Sequence, residues 1–472
     1  MLLRYFYDEK LAQASYMVGC QKTGEAIVID PARNIEPYLK EAEKEGLRIS
    51  ATAETHIHAD FVSGTREFAK RLGTTAYLSN EGDASWKYGF ASEIDARLVK
   101  DGETFKVGNV TLEVMHTPGH TPEHISFVLY DRDQTVPMGI FTGDFVFVGD
   151  IGRPDLLEEA AGIQGTTALG AKQMFQSLKR FKQLPDFTQV WPGHGAGSAC
   201  GKALGAVPTS TVGYEKVTNW ALRMEDEAAF VKELTTDQPE PPNYFAMMKK
   251  VNKEGIVVTT EVDRPRLAEA NTVEELVKTM QVVDTRDGKT FGAGHVPGTI
   301  NIPYNSKFVA WAGWLVDFNQ DIAILAATDQ LETIQTDLQS IGLDRFVTLI
   351  DVEKLTASQL TESYPDWTAD KAIAVAEAGD VYVLDVRNKT EWEESHYEQA
   401  HRILLGKLAS RHEELPSDQP IAVHCASGVR SRMAVSVLQS LGVKNVINID
   451  GGYAAIEDVL HDQTVAGKAT SR

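Results

Sequence analysis

Short apolar runs rich in β-branched and aromatic residues punctuate the first 190 residues. SYMVGC, EAIVID, TAYLS, TLEVMH, ISFVLY and GIFTGD are bounded by Gly, Asp or Pro and read as strands. Between them lie helical patterns, IEPYLKEAEKEG and TREFAKRLG, the first closed by a C-terminal glycine, and later LGAKQMFQSLKRFKQL. DGETFKVGNVTLEVMH reads as a hairpin around Gly108. Strands arriving in pairs without an intervening helix argue for mixed rather than purely parallel sheets. The run DQPEPPNYF, near 237–245, breaks any helix and reads as an ordered wrap or linker.

The last 200 residues contain an internal repeat. MQVVDTRDGKTFGAGHVPGTINIP (280–303) lies on VYVLDVRNKTEWEESHYEQAHRIL (381–404), so Asp284, Arg286 and His295 return as Asp385, Arg387 and His396. DIAILAAT (321–328) matches PIAVHCAS (420–427), and LQSIG matches LQSLG. Each copy reads strand–helix–strand with short loops, an α/β unit of about 100 residues, and duplication gives two such domains. With the N-terminal part this predicts three domains: 1–262, 268–365 and 368–472.

Composition narrows the function class. The chain is 43% hydrophobic with a net charge of −21, which excludes a polyanion partner: phosphate binding needs an excess of Lys and Arg. MLLRYFYDEK has early charges and no apolar core, so it is not a signal peptide, and no run approaches the roughly 18 apolar residues of a membrane span. A cytoplasmic location is expected. Three scattered cysteines, Cys20, Cys200 and Cys425, are no disulfide framework.

The histidines cluster. Thr55-His56-Ile57-His58-Ala59-Asp60, Thr117-Pro118-Gly119-His120 and Thr142-Gly143-Asp144 each follow a strand-like run, and Pro192-Gly193-His194-Gly195 lies farther on. Loops at strand ends let such side chains converge, and imidazoles with a carboxylate suit a borderline divalent transition metal.

These segments resemble the metallo-β-lactamase superfamily, whose first motif is His-x-His-x-Asp-His and whose later landmarks are TPGH, TGD and a final GH. The resemblance covers roughly residues 1–260 and implies an αββα sandwich. Members with two metals use the Asp-His end of the first motif for the second ion. Here that histidine is Phe61, which cannot coordinate, so the second site should be crippled. The departure points away from binuclear zinc hydrolases such as glyoxalase II and toward the persulfide dioxygenases. For that branch the resemblance implies mononuclear non-haem Fe(II) on His56, His120 and Asp144, with O2 as co-substrate. Such a facial set leaves positions open for a thiolate-like substrate and O2. His58, Asp60 and His194 then orient ligands or hydrogen-bond to bound solvent, and spacing leaves open whether His58 binds metal itself. The resemblance also places Arg153 near the site, where its guanidinium grips a substrate carboxylate or fixes a loop. Cys200, six residues past His194, matches a cysteine that lies near the iron in bacterial fused dioxygenases, which implies a catalytic role. Cys20 reads as core.

PIAVHCASGVRSRMAVSVLQS (420–440) is an apolar strand, a cysteine, a tight loop and a helix. Cys425-Ala426-Ser427-Gly428-Val429-Arg430-Ser431 resembles the rhodanese active-site loop. Backbone N–H groups curling round a sulfur at a helix N-terminus favour the thiolate and then the persulfide anion. Gly428 permits the turn, and Arg430 adds positive charge for an anionic donor or acceptor. Cys-x5-Arg is also the spacing of protein tyrosine phosphatases, but the upstream LDVR and the repeat favour rhodanese. Asp385 and Arg387 read as braces of the fold. In the first copy Ala326 stands where Cys425 does, and Leu331 or Glu332 falls near the place of Arg430. That copy should be inert in sulfur transfer, a spacer, docking or dimerisation module.

Together the motifs resemble bacterial persulfide dioxygenase–rhodanese fusions, an α/β architecture of one metallo-β-lactamase sandwich and two rhodanese-like domains. The resemblance implies oxidation of a low-molecular-weight thiol persulfide (glutathione, coenzyme A or similar) to sulfite. It also implies exchange of sulfane sulfur between persulfide and sulfite or thiosulfate at Cys425, in a homo-oligomer. Two rivals stand beside it: a glyoxalase II-like thioester hydrolase fused to a sulfurtransferase, and a non-catalytic sulfur carrier or sensor.

Overall fold

The computed structural model describes residues 1–132, 134–156, 158, 165–202 and 204–470, with side chains described up to residue 461. The chain forms two compact units, Met1–Val262 with Gln339–Gly342, and Asp263–Leu338 with Leu343–Arg472.

The first unit holds two six-stranded sheets. One runs in sequence order through β1 (Leu2–Asp8), β2 (Gln13–Cys20), β3 (Glu25–Ile29), β4 (Arg48–Ala53), β5 (Thr75–Ser79) and β6 (Ala96–Val99). The other contains β7 (Thr104–Val107), β8 (Val110–His116), β9 (Ile125–Asp131), β10 (Gly139–Gly143), β11 (Gln189–Pro192) and β12 (Ser210–Thr211), in the order β12-β11-β10-β9-β8-β7. Both are mixed: β1, β2 and β3 pair antiparallel, whereas β3 to β6 run parallel. Tyr16, Val18, Ile27, Ile29, Phe105, Leu112, Phe127, Phe141 and Trp191 fill the space between the sheets. Outside, helix Glu36–Lys44 covers the first sheet, and helix Thr166–Phe181 with Phe230 and Leu234 covers the second. The result is the αββα sandwich.

Helix and turn signals act as read. Helix Thr65–Leu72 ends on Gly73, whose φ of 67° forms the left-handed C-cap. β7 and β8 form the antiparallel hairpin around Gly108. The Pro-rich run carries no regular element before helix Phe245–Glu254. Strands β4 and β6, RISATA and ARLV, escape a reading by apolar runs because polar positions interrupt them.

The second unit contains two five-stranded, all-parallel sheets. β13 (Arg266–Ala268), β14 (Gln281–Asp284), β15 (Ile300–Asn301), β16 (Ile322–Ala326) and β17 (Phe346–Asp351) take the order β13-β17-β16-β14-β15. β18 (Asp366–Trp367), β19 (Tyr382–Asp385), β20 (Ala400–Arg402), β21 (Ile421–His424) and β22 (Val446–Ile449) repeat it as β18-β22-β21-β19-β20. The identical order is the duplication seen in three dimensions. In both copies the aspartate ending the second strand pairs with the arginine two residues on: Arg286–Asp284 at 2.6 Å and Arg387–Asp385 at 2.7 Å. Each arginine also donates to a loop carbonyl, of Gly294 or Ser395. These pairs brace the fold. The two copies form one compact unit because they share an interior, in which Phe291 and Trp311 pack with Val386, Leu405, Cys425 and Met433.

Candidate functional site: a buried metal centre and a thiol loop

Each loop of the metal constellation leaves the end of a strand. His56 lies three residues past β4, His120 four past β8, and Asp144 directly after β10. Gly143 makes the last arrangement possible. Its φ is +49°, and a Cβ there would stand 2.3 Å from Thr55 Oγ1. His56, His120 and Asp144 are all buried, and one ligand atom from each lies within 4.8 Å of the others.

The hydrogen bonds assign the tautomers. His120 Nδ1–H donates to the carbonyl oxygen of Arg153 at 2.9 Å. Thr55 Oγ1 spends its proton on Asp30 Oδ2, so it accepts from His56 Nδ1–H at 2.9 Å. Both Nε2 atoms are therefore bare lone pairs, 3.9 Å and 3.6 Å from Asp144 Oδ2. Burial holds both imidazoles neutral, His56 well below its ordinary pKa. Neither Asp144 Oδ2 nor His56 Nε2 has a hydrogen-bond partner. Asp144 Oδ2 and the two Nε2 atoms converge as buried acceptors, and two imidazoles with one carboxylate fit a divalent transition metal.

Asp60, His194 and Cys200 form a second convergence, also within 4.8 Å of one another. His194 Nδ1–H donates to the Ala12 carbonyl, while Nε2 faces Asp60 Oδ2 at 3.1 Å and Asp144 Oδ1 at 3.3 Å. Burial opposes charge on His194, but the two carboxylates outweigh it and hold its pKa well above the ordinary value. Cys200 is buried beside them. Burial and the Asp144 charge push its thiol up to about 12, so it is a neutral thiol at physiological pH. Phe61 is buried with its ring 4.4 Å from that of His58, a wall without a donor atom where the motif's last histidine would stand.

In the last repeat, Cys425 follows β21 directly and is 1% exposed. Gly428, at φ +92°, caps helix Val429–Ser440 and donates its N–H to Cys425 Sγ at 3.2 Å. Ser427 and Val429 are exposed and form the mouth of the loop, with Ala426 partly covered. Arg430 makes a two-pronged bond to Glu391, Nη1 to Oε2 at 2.7 Å and Nη2 to Oε1 at 2.5 Å. Ser431 is buried, and its hydroxyl donates to Asn448 Oδ1 at 2.6 Å; its side chain ties the helix to β22 and does not face the sulfur. At the matching place in the first copy, β16 ends on buried Ala326, and a 3-10 turn, Thr328–Gln330, leads into the α-helix that begins at Leu331.

Known proteins match both the N-terminal and the C-terminal part of the chain. The profile of the metallo-β-lactamase superfamily matches residues 9–194, and that of the rhodanese-like domain matches 368–458. A crystallised metallo-β-lactamase from Staphylococcus aureus subsp. aureus COL is 45% identical, with a TM-score of 0.67, over 74% of this chain and 98% of that one. The chain belongs to the metallo-β-lactamase superfamily. It carries a rhodanese-like domain at its C-terminus. A hydroxyacylglutathione hydrolase of Synechococcus sp. is 32% identical over 171 residues, 36% of this chain and 59% of that enzyme. Human mitochondrial persulfide dioxygenase ETHE1 is 28% identical over 197 residues, 41% of this chain and 68% of that enzyme. The chain thus spans about three-fifths of the length of the hydrolase relatives it matches. Among the described residues no helix is long and apolar enough to cross a membrane.

Within this superfamily site, two alternatives left open by the sequence narrow to one. Arg153 is not free to grip a substrate carboxylate. Its guanidinium is 1% exposed and engages Asp155 Oδ1 at 2.8 Å and the Pro239 carbonyl at 2.6 Å, so it braces the loop whose carbonyl orients His120. His58 lies outside the three-ligand set. Its Nε2 turns to Asp30 Oδ1 at 3.1 Å, and Asp30 and Glu54 overcome burial to raise its pKa to about 9.

Two positioning residues are missing from the sequence reading. His124 Nε2 accepts the Asp144 N–H at 3.1 Å, which aims that carboxylate. Asp30, at the end of β3 with φ +49°, accepts from both Thr55 N and Thr55 Oγ1. The site histidine cluster and the strand-end aspartate were the available signals.

Glu123 behind the site supplies a pH prediction. It is fully buried, and burial outweighs the Ile57 N–H that it accepts at 2.9 Å, raising its pKa from 4.5 to about 7. An acid with a raised folded pKa favours the native state while protonated. Its effect on stability therefore worsens as pH rises from about 4.5 to about 7. Gln keeps the acceptor without the charge. Glu123→Gln should gain up to about 3 kcal/mol over wild type at pH 8 and little at pH 4.5, read from denaturant unfolding at both values.

Proposed function

We propose that the metallo-β-lactamase domain is a persulfide dioxygenase and that the last rhodanese-like repeat is its sulfurtransferase. One observation carries the reading: a buried His56, His120 and Asp144 set, with Phe61 in place of a further ligand. Fe(II) held there would supply binding and activation of O2. The chain's residues do the rest. The Arg153 carbonyl and Thr55 fix the two imidazoles, His124 and the charge of His194 fix Asp144, and burial keeps bulk water from the reacting sulfur. Cys200 stands beside Asp60 and His194 as a neutral thiol. The substrate is a low-molecular-weight thiol persulfide such as that of glutathione or coenzyme A. With O2 and water it yields the free thiol and sulfite.

At the second site the Cys425 thiolate attacks the terminal sulfur of a persulfide. A new S–S bond forms, the old one breaks, and the leaving thiolate keeps the electron pair and takes a proton. Transfer of that sulfur to sulfite gives thiosulfate and returns the thiolate.

The deciding experiment is oxygen consumption by iron-loaded full-length protein given glutathione persulfide. Uptake of O2 in proportion to persulfide, with sulfite or thiosulfate as product, is expected. A second reading, thioester hydrolysis, is favoured by the hydroxyacylglutathione hydrolase relatives. It calls for two ions per chain, and Asp60, His194 and Cys200 mark where the second would sit. Two zinc ions per active chain, thioester cleavage and no persulfide-dependent O2 uptake would overturn the dioxygenase assignment.

A further inference from the structure

The duplication provides an internal control for deciding which residues serve sulfur transfer. Whatever both copies keep serves the fold; whatever only the cysteine-bearing copy keeps is a candidate for its chemistry. Asp284–Arg286 and Asp385–Arg387 belong to the first group, with the same pairing in each copy. So does the helix cap that follows, since Asp287 in one copy and Asn388 in the other accept N–H bonds from the first turn. Among the residues that the second copy alone keeps, three meet at the thiol loop. Cys425 is replaced by Ala326, Arg430 by Leu331, and Glu391 by Thr290, whose hydroxyl turns back to its own cap Asp287. Glu391 is therefore lost together with the two groups of the loop.

Its geometry says what it does. Glu391 is the third residue of its helix. Its backbone N–H donates to Asn388 Oδ1 at 2.8 Å, and its Oε2 accepts the Asn388 N–H at 3.2 Å, a reciprocal capping box. The carboxylate held in this way meets the guanidinium of Arg430 face to face with two bonds. Burial opposes the charge of Arg430, and the bond to Glu391 more than restores it; the guanidinium belongs to the first turn of the helix whose cap, Gly428, donates to the sulfur. Both side chains remain about a quarter exposed, 21% and 28%, so the pair stands at the mouth of the loop where a donor enters.

We propose that Glu391 is the specificity-determining residue of the thiol loop: by occupying both prongs of Arg430 it selects alkyl persulfides over thiosulfate as sulfur donors to Cys425. The proposal rests on the sulfurtransferase reading above and goes beyond it by naming the residue that selects the donor. Thiosulfate brings a dianion whose sulfonate oxygens need a free guanidinium, and it releases sulfite. At its reacting end an alkyl persulfide carries at most one charge, on sulfur, because the carboxylates or phosphates of glutathione or coenzyme A lie on the remote part of the molecule, and it releases a thiol. A carboxylate at the mouth repels the first donor more than the second.

The test is Glu391→Gln in the full-length protein. Gln retains the capping box, so the helix stays capped while the charge goes. Formation of the Cys425 persulfide is followed by mass spectrometry with thiosulfate and with glutathione persulfide as donors. The ratio of the two kcat/KM values should shift about tenfold toward thiosulfate, the worth of one charge-assisted hydrogen bond. The change should lie in KM, and the thiosulfate rate should become more sensitive to salt. Arg430→Gln added to Glu391→Gln should abolish the gain. An unmoved ratio, or equal losses with both donors, would show a structural brace and overturn the proposal while leaving sulfur transfer at Cys425 intact. If wild-type Cys425 takes sulfur from neither donor, the sulfurtransferase reading falls first and the proposal with it.

Discussion

Asp144→Asn is expected to leave the chain folded and the metal centre empty. In the native site Asp144 is the one anionic member of the three-residue set, and its Oδ2 lacks a hydrogen-bond partner. Asn cannot supply the charge, and half of its polar atoms become donors facing the lone pairs of His56 and His120. Removing one negative charge within about 4 Å of a cation costs roughly 4 kcal/mol or more at an effective dielectric constant of about 20, on the order of 10³-fold in affinity. Metal analysis should find the variant near zero where wild type holds one ion, and persulfide-dependent O2 uptake should fall by at least the same factor. The backbone N–H of residue 144 still has His124 Nε2 to bond and Asp60 still pairs with His194, so the metal-free variant should stay folded, melting below metal-free wild type by the loss of the Asp144–His194 contact. A variant that keeps its ion would remove Asp144 from the ligand set.

The parts of this centre that were legible in the sequence share a physical cause. His56, His120 and Asp144 sit in turns at strand ends, where turn chemistry and polar side chains coincide within a few residues. Phe61 was legible because a ring in place of an imidazole changes the donor count without any need for coordinates. The residues that position the ligands were not. His124 looks like one more histidine until the Asp144 N–H is seen pointing at it. Asp30 lies twenty-five residues before Thr55, and only the parallel pairing of β3 with β4 brings them together. Arg153 was legible only as two alternatives, gripping a carboxylate or fixing a loop. Its neighbourhood was readable, but its partners at Asp155 and Pro239 decide its role, and the second of these lies 86 residues away. The two repeats were legible as copies, whereas their shared interior was not, because Phe291 and Met433 are ordinary core residues in either domain alone.

Cys425→Ser should separate the two activities. Ser is nearly isosteric, and the Gly428 N–H that approaches the sulfur at 3.2 Å can approach an oxygen as well, so the buried loop keeps its shape. What disappears is the nucleophile. A serine hydroxyl is not ionised near neutral pH and has no persulfide form in which to store sulfane sulfur. Sulfur transfer should drop by about 10³-fold or more, and no second cysteine can compensate locally, since Ala326 stands at the matching place in the first copy. Oxygen uptake should persist, because none of His56, His120 and Asp144 belongs to the C-terminal repeat. The product should then shift from thiosulfate to sulfite, measured by separating the two anions after a fixed uptake of O2. Equal loss of uptake and transfer would mean that Cys425 participates in the oxidation itself, and the division of labour between a metal centre and a thiol loop would have to be abandoned.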